Sequence, residues 1–372
     1  MPFWRNVNRT GANTPKCHKN ERRMKAEIFP HTLHFKQPAG TSRGVYTTRK
    51  VWYIRLTDKA SGRYGIGECA PLPNLSCDDL PDYGEILAHH CQETARTGTI
   101  DYEALRPYPS MLFGLEMAMR QLEMGSVTLS ETPFAKGKAG IPINGLIWMG
   151  DFGEMYDRIE EKMSRGFRCI KLKIGAIEFE KELDLLAHIR AHFGKEKIEL
   201  RVDANGAFSP EDALDKLEAL SQYDIHSIEQ PVRAGQWEVM GRLCQQSPLD
   251  IALDEELIGI NTRAEKMELL DKIRPQYIIL KPSLHGGIRG AEEWIALAEE
   301  RGIGWWATSA LESNVGLNAI AHWCATKQPK LPQGLGTGLL FTDNIDYPLH
   351  IEGDCLWYDP EKAGEPRFDD YL

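Results

Sequence analysis

The sequence of 372 residues has no Cys-x-x-Cys pair, although it contains eight cysteines. Scattered cysteines in a chain of this length argue against a zinc site and against the disulfide framework of a small secreted domain. No apolar run approaches the roughly 18 residues that a membrane-spanning helix needs, and no signal-peptide pattern opens the chain. These absences favour a cytoplasmic protein with reduced thiols and no membrane partner.

Positive charge is less abundant than negative charge. The chain has 44 Lys and Arg against 54 Asp and Glu, which gives a formal net charge of −10. An acidic protein is poorly suited to nucleic acid or to an anionic membrane surface, so neither partner is expected. No Walker sequence is present and no G-x-G-x-x-G follows the first strand-like segment, so a nucleotide-binding sheet lacks its usual support. The oligomeric state stays open at this level.

The chain divides into an N-terminal extension, a strand-and-helix region and a longer alternating region. Residues 1–23 carry six Lys and Arg against one Glu and have no apolar periodicity, so we expect a disordered or non-native extension. Residues 24–76 have the composition of strands, and residues 83–125 have the spacing of helices. This second region is predicted to be an α+β module without a catalytic cluster of its own.

From about residue 141, short apolar runs alternate with amphipathic segments that have helical spacing. Strands that alternate with helices imply βαβ units and a parallel sheet, and this number of units favours a closed (β/α)8-type barrel over an open sheet. The predicted strands are residues 141–146, 169–174, 199–203, 225–229, 251–254, 277–281 and 304–308.

Charged residues stand at the ends of five consecutive predicted strands: Lys173, Asp203, Glu229, Asp254 and Lys281. Their separations are 30 residues (173 to 203), 26 (203 to 229), 25 (229 to 254) and 27 (254 to 281). About this much chain forms one βα unit, so the five side chains occupy equivalent strand ends. In a closed barrel they would surround one mouth, the face where such folds bind substrates.

The types of these residues predict a metal-assisted proton transfer. Three converging carboxylates repel one another unless a cation lies between them, and oxygen-only ligands suit Mg²⁺, with Mn²⁺ as a possible substitute. Lys171 and Lys173 alternate on one strand and therefore point to the same face. A neighbouring lysine and a divalent metal both lower the pKa of a lysine, which allows it to act as a base near neutral pH.

Five short motifs resemble the muconate-lactonizing subgroup of the enolase superfamily, over about residue 24 to the C-terminus. That resemblance implies a modified TIM-like barrel at residues 136–339, and an α+β capping domain at residues 24–135 completed by about residues 340–372. It also implies a small carboxylate substrate and Mg²⁺ on Asp203, Glu229 and Asp254. The catalytic residues are then Lys173 and Lys281, with Lys171 beside Lys173. The motifs are Lys171-Leu-Lys173, Asp203-Ala-Asn205, Glu229-Gln-Pro231, Asp254-Glu255 and Lys281-Pro282.

Within the subgroup, residues 67–73, 308–316 and 334–338 most resemble the o-succinylbenzoate synthase family. The resemblance implies a hydro-lyase of menaquinone biosynthesis that converts 2-succinyl-6-hydroxy-2,4-cyclohexadiene-1-carboxylate to 2-succinylbenzoate, through α-proton abstraction and a Mg²⁺-stabilised enediolate. Dipeptide epimerases of the subgroup carry an Asp-x-Asp on strand eight, where this chain has Gly336-Thr-Gly338. The alternatives are an N-acylamino acid racemase, a dipeptide epimerase, a muconate-type cycloisomerase and a catalytically silent metal-binding barrel.

Further residues are candidates for substrate contacts. Arg43 lies in a Gly-rich stretch from which it could reach a second substrate carboxylate, although an exposed loop cation would explain it equally well. Ser309 and Ser313 fall in the loop after strand seven. Asn205 follows the third predicted strand, and the backbone amides of Gly286 and Gly287 are a possible carboxylate site. Helix capping would explain Ser313 equally well.

Overall fold

The computed structural model describes residues 24–41, 44–148, 152–175 and 178–364. The predicted extension at residues 1–23 and the candidate Arg43 lie outside the described residues. The described chain begins with a three-stranded antiparallel sheet followed by two helices. These elements are β1 (Met24–Thr41), β2 (Gly44–Asp58), β3 (Tyr64–Cys69), α1 (Tyr83–Thr97) and α2 (Pro109–Met124).

Strand β3 and helix α2 pack backbone against backbone, because glycines lie where they meet. A Cβ atom added at Gly67 would lie 2.0 Å from the carbonyl oxygen of Gly114, and one at Gly65 would lie 2.0 Å from that of Ala118. Any side chain at these two positions would therefore push the helix off the sheet. The close approach makes this α+β module compact and fixes where α2 lies.

Seven parallel strands alternate with helices in the longer region, as predicted. They run in sequence order across the sheet and curl into a barrel with the helices outside. The strands are β5 (Gly145–Ile147), β6 (Cys169–Lys173), β7 (Glu199–Asp203), β8 (Ile225–Glu229), β9 (Ile251–Leu253), β10 (Tyr277–Leu280) and β11 (Gly304–Ala307). The helices are α3 (Phe152–Ser164), α4 (Phe179–His192), α5 (Ala213–Ser221), α6 (Trp237–Gln246), α7 (Arg263–Ile273), α8 (Gly287–Glu299) and α9 (Asn314–Lys327).

Residues 333–334 close the barrel in place of a full eighth strand. The N–H of Gln333 donates to Pro142 O at 2.8 Å, and the N–H of Asn144 donates to Gln333 O at 3.0 Å. On the other side, the N–H of Gly334 donates to Ala307 O at 2.8 Å. These bonds link the residues just before β5 to the end of β11. The predicted (β/α)8-type fold class is confirmed.

The predicted strand at residues 141–146 is in fact two elements. β4 (Ile141–Pro142) pairs with β13 (Cys355–Tyr358), which also pairs with β12 (Leu349–Glu352) in a small antiparallel sheet, while β5 alone enters the barrel. Pro142 lacks the N–H that a central strand needs, which explains the interruption. Residues 340–342 hydrogen-bond to β1, but the predicted domain boundaries stay an interpretation. No helix in the described ranges is both long and apolar enough to cross a bilayer.

A buried histidine gives the fold a predicted sensitivity to acid. His322 of α9 is fully buried against the rings of Phe134 and Tyr358, and burial lowers its pKa from 6.5 to about 3. Between those two pH values the unfolded chain binds a proton that the folded chain does not, so stability falls as pH falls below 6.5. One group contributes about 1.4 kcal/mol for each pH unit in this window.

We expect the His322→Phe variant to lose less thermal stability than the parent between pH 7.5 and pH 5.5, because its ring cannot titrate. Thermal unfolding at the two pH values measures the difference. His350→Phe, a substitution of an exposed histidine on β12, is the matched control and should behave like the parent. Equal acid sensitivity in His322→Phe and the parent would contradict this account.

Candidate active site

Five charged side chains lie at the carboxyl end of consecutive barrel strands. The strand register pairs Lys173 with Asp203 and Asp203 with Glu229, so these three form one row. Asp254 and then Lys281 each lie two residues further along than the register of the preceding strand would place them. Because side chains alternate between the two faces of a strand, a step of two residues keeps all five inside the barrel.

Lysine ammonium groups contact every one of the three carboxylates. Lys171 Nζ lies 2.7 Å from Asp203 Oδ2 and 2.5 Å from Glu229 Oε2, so it bridges two strands. Lys173 Nζ lies 2.5 Å from the same Asp203 oxygen, and Lys281 Nζ forms an ion pair with Asp254 Oδ2. All of these side chains are almost entirely buried, so the charges interact with little screening by water.

The pKa values reflect this crowding. Burial raises the pKa of Glu229 well above its usual range, and the neighbouring charge of Asp203 raises it further. For Asp203 itself, burial would raise the pKa, but Lys171 and Lys173 lower it below the usual range. Lys281 and Lys171 similarly outweigh burial at Asp254 and lower its pKa. One carboxylate of the three therefore resists ionisation while the other two are held as anions.

Two of the site lysines have raised pKa values. Burial lowers the pKa of Lys171, but the carboxylates of Asp203 and Glu229 more than offset it, so the pKa of Lys171 is raised. The pKa of Lys281 is raised in the same way by Asp254. Carboxylates are the nearest charges of these two lysines, and the lowering of a lysine pKa by a bound divalent metal stays a prediction.

The donor set has open capacity for a cation. Among the residues that the structure describes, no three His, Cys, Asp or Glu side chains form a ready-made metal cage, and lysines contact the carboxylates instead. Glu229 Oε1 and Asp254 Oδ1 are nevertheless buried and accept no hydrogen bond. Unpaired buried carboxylate oxygens are costly, and an oxygen-only set fits a hard divalent cation. The residues therefore fit Mg²⁺ or Mn²⁺.

A cavity of about 470 Å³ opens above these charges. Lys173, Glu229 and Lys281 form part of its charged floor, while Leu72 and Leu75 from the N-terminal region form part of its apolar roof. A pocket lined by both apolar and charged side chains suits a small substrate that has an apolar part and a charged group.

Known proteins match the chain along most of its length. The family model described as MenC, N-terminal domain, matches residues 23–122, and the one described as Enolase C-terminal domain-like matches residues 154–363. The o-succinylbenzoate synthase of Desulfotalea psychrophila (strain LSv54) is 47% identical over 356 residues, which cover 87% of this chain and 96% of that protein. The chain belongs to the o-succinylbenzoate synthase family of the enolase superfamily.

Solved structures agree with this assignment. The crystal structure of MenC from Desulfotalea psychrophila LSv54 has a TM-score of 0.78 and 42% identity, and the match covers 90% of this chain and 99% of that one. Muconate lactonizing enzyme from Pseudomonas putida, at 21% identity, shares the fold with a TM-score of 0.75 over 90% of this chain and 94% of its own. The predicted resemblance is confirmed.

Two of the predicted substrate contacts line the cavity of this family member. Asn205 is one, but its side chain is already bound: its Oδ1 accepts from Lys173 Nζ at 2.7 Å, and its Nδ2 donates to Glu255 Oε1 at 3.0 Å. Ser309 is the other, and its hydroxyl donates to Glu312 Oε2 at 2.5 Å. Both residues therefore hold other side chains in place at the edge of the site.

Other predicted contacts do not reach this cavity. Ser313 caps α9: its hydroxyl accepts from the N–H of Val315 and donates to Glu68. Helix capping, and not substrate contact, therefore accounts for this serine in the structure. Gly286 lines a separate cavity of about 90 Å³, and the N–H of Gly287 donates to Pro282 O at 2.8 Å. The amide of Gly287 is thus committed within its own loop and does not face the main cavity.

Sequence reasoning missed two carboxylates that organise the site. Glu255 lines the cavity and holds Asn205, and its only signal was its place directly after Asp254. Glu312 accepts from the hydroxyl of Ser283 and from the N–H of Ala310, so it joins the loops after β10 and β11. Nothing in the local sequence distinguishes Glu312 from a surface glutamate.

Replacing Lys171 should show how strongly the repulsion between the carboxylates destabilises the fold. We expect Lys171→Met to lower the free energy of unfolding by about 3–5 kcal/mol in the presence of a chelator, because Asp203 and Glu229 lose their shared counter-charge. Saturating Mg²⁺ should restore part of the loss by binding the folded state. Urea unfolding with and without Mg²⁺ measures both effects.

The control is Lys195→Met, which removes an exposed lysine paired with Asp224 and should change stability by less than about 1 kcal/mol. A Lys171→Met protein as stable as this control would contradict the bridging role.

Proposed function

We propose that this chain is an o-succinylbenzoate synthase, which removes water from 2-succinyl-6-hydroxy-2,4-cyclohexadiene-1-carboxylate to form 2-succinylbenzoate in menaquinone biosynthesis. The 47% identity to a curated o-succinylbenzoate synthase, over nearly all of that protein, carries the proposal. The facing lysines and the charged floor of the cavity supply chemistry that the reaction needs. A cytoplasmic location fits such an enzyme and is part of the proposal.

The proposal assigns Mg²⁺ to Asp203, Glu229 and Asp254, with Mn²⁺ as a substitute. The free Glu229 Oε1 and Asp254 Oδ1 atoms and the oxygen-only donor set support this assignment. When bound, the ion supplies positive charge against the substrate carboxylate as negative charge develops there. Lys171 would then balance the remaining negative charge of the three carboxylates.

Lys173 is proposed as the residue that moves the proton. Its Nζ group lines the cavity and is held by Asp203 and Asn205, which leaves the third ammonium position toward the substrate. In neutral form it would take the ring proton next to the carboxylate and return it to the departing hydroxyl group. The same group thus serves both halves of the elimination, and the product gains an aromatic ring.

Lys281 is proposed as a fixed cation on the other side of the ring. It enters from β10, four strands from Lys173, and its ion pair with Asp254 keeps it charged. A positive charge there would stabilise the electron density that builds on the ring when the proton leaves. Leu72, Leu75 and Leu311 would pack over the ring and limit the entry of water.

The first test is turnover of the cyclohexadiene substrate, followed by loss of its ultraviolet absorbance. We expect rapid conversion with Mg²⁺, none with a chelator, and a kcat about 10²–10⁴-fold lower in Lys173→Ala, because the variant lacks the proton-transfer group. Lys195→Ala removes an exposed lysine and should keep parental activity. No turnover by a folded, Mg²⁺-loaded parent would refute the proposed function.

Lys281 separates dehydration from the alternative of racemisation, in which both lysines act as acid and base. The chain is also similar to the L-Ala-D/L-Glu epimerase of Bacillus subtilis, at 27% identity over 312 residues (80% of this chain and 82% of that protein). This similarity is the reason to test the alternative. Arginine retains the charge but does not deprotonate. We expect Lys281→Arg to keep dehydratase kcat within about tenfold of the parent, while Lys281→Met loses about 100-fold or more.

The same variants should be assayed for α-proton exchange of N-acylamino acids in D₂O. An N-acylamino acid racemase would lose exchange from one enantiomer in both variants, because neither side chain can act as a base. Equal losses of dehydration in Lys281→Arg and Lys281→Met would contradict the fixed-cation role and favour acid–base chemistry at Lys281.

A further inference from the structure

Glu116 of the N-terminal region reaches across to a barrel helix. Its carboxylate accepts the N–H of Ile288 at 2.5 Å and the N–H of Arg289 at 3.1 Å, both in the first turn of α8. Amides in a first helical turn have no partner inside their helix, and a carboxylate satisfies them and complements the helix dipole. The helix has Gly286 before it, which has no side chain to do this.

The carboxylate has been accommodated at a high cost, which indicates a specific role. Glu116 is fully buried, and in the described part of the chain no Lys, Arg or His forms an ion pair with it. Burial raises the pKa of Glu116 to about 8 and the charge of Glu292 adds to this, while the two backbone N–H groups and the charge of Arg289 favour the anion. Gly287 makes room: a Cβ atom at this position would lie 2.4 Å from Glu116 Oε2.

The turn that Glu116 holds is the end of the Lys281 loop, which we define as residues 281–287. Hydrogen bonds close this loop upon itself: the N–H of Gly287 donates to Pro282 O, and that of Leu284 donates to Lys281 O, both at 2.8 Å. In addition, the N–H of Lys281 donates to His285 Nδ1 at 3.0 Å. Because these hydrogen bonds connect residues 281 to 287, we expect the loop and the start of α8 to move together.

We propose that Glu116 is a positioning residue for the reaction, which fixes the Lys281 loop against the barrel mouth through the first turn of α8. The inference rests on the proposed function, because Lys281 is the group whose place matters. The N-terminal region thus contributes to the charged floor of the cavity as well as to its apolar roof. Displacing the helix end would shift the cation from the ring without removing any group that touches substrate.

Two substitutions disrupt this contact, one at the carboxylate and one at the glycine beside it. Glu116→Gln keeps the shape but offers one acceptor oxygen to two N–H groups, and Gly287→Ala pushes the carboxylate away. For each we expect a kcat about tenfold to 100-fold lower at 25 °C with KM nearly unchanged, since misplacement of a catalytic group acts on the transition state. The double variant should lose little more than either single variant, because both break one contact.

Each variant has a matched control. Glu123→Gln changes an exposed glutamate on the same helix, which pairs with Arg120 at 3.2 Å. Gly302→Ala repeats the backbone strain, since Gly302 has φ +68° against +70° for Gly287. Apart from its two chain neighbours, no atom of the described residues lies within 4 Å of the added Cβ. Both controls should retain parental kcat and KM, whatever they do to the melting temperature.

Amide hydrogen exchange, measured by mass spectrometry, tests whether the contact is present and does not depend on turnover. We expect peptides that cover residues 281–290 to exchange faster in Glu116→Gln and Gly287→Ala, while peptides that cover residues 251–258 stay as in the parent. Parental kcat in both variants would overturn the proposal, as would an equal loss in the controls or a change of exchange spread over the whole barrel. A parent without turnover would refute the proposed function, and the exchange comparison would then decide the contact alone.

Discussion

The repulsion among three buried carboxylates is the constraint on which the rest of the site depends. Asp203, Glu229 and Asp254 lie at one end of a barrel where water screens them little, so positive charge must be supplied at the same place. Lys171 and Lys281 supply it in the structure, through ion pairs that leave two carboxylate oxygens without a partner. A divalent cation fits the same requirement, which is why structural and catalytic roles overlap at these residues.

The barrel makes one site of residues that are far apart in sequence. Parallel strands bring their carboxyl ends to one rim, and steps of two residues between neighbouring strands keep the charged side chains on the inner face. Closure by residues 333–334 completes the ring without a full eighth strand. The floor of the cavity is therefore set by strand register, whereas the loops after the strands set its edges.

The N-terminal region acts on the barrel through buried polar side chains as well as through apolar packing. Glu68 accepts N–H groups at the start of α9, as Glu116 does at α8, so two helix ends depend on carboxylates from another part of the chain. Arg49 is buried between loops of both regions and donates to Ala70 O at 2.5 Å and to Leu311 O at 3.4 Å. These contacts couple the roof of the cavity to its floor.

The sequence by itself determined the barrel and its charged rim, because alternating strands and helices and the spacing of Lys173 to Lys281 are local, periodic signals. Only the tertiary structure decided that Pro142 interrupts the first strand, that Asn205 binds Lys173 and Glu255, and that Ser313 is a cap. Contacts such as that of Glu116 with α8 could not be predicted from the sequence either. They depend on which surfaces meet, and a buried carboxylate has the same local sequence pattern as an exposed one until its partners, far along the chain, are in place.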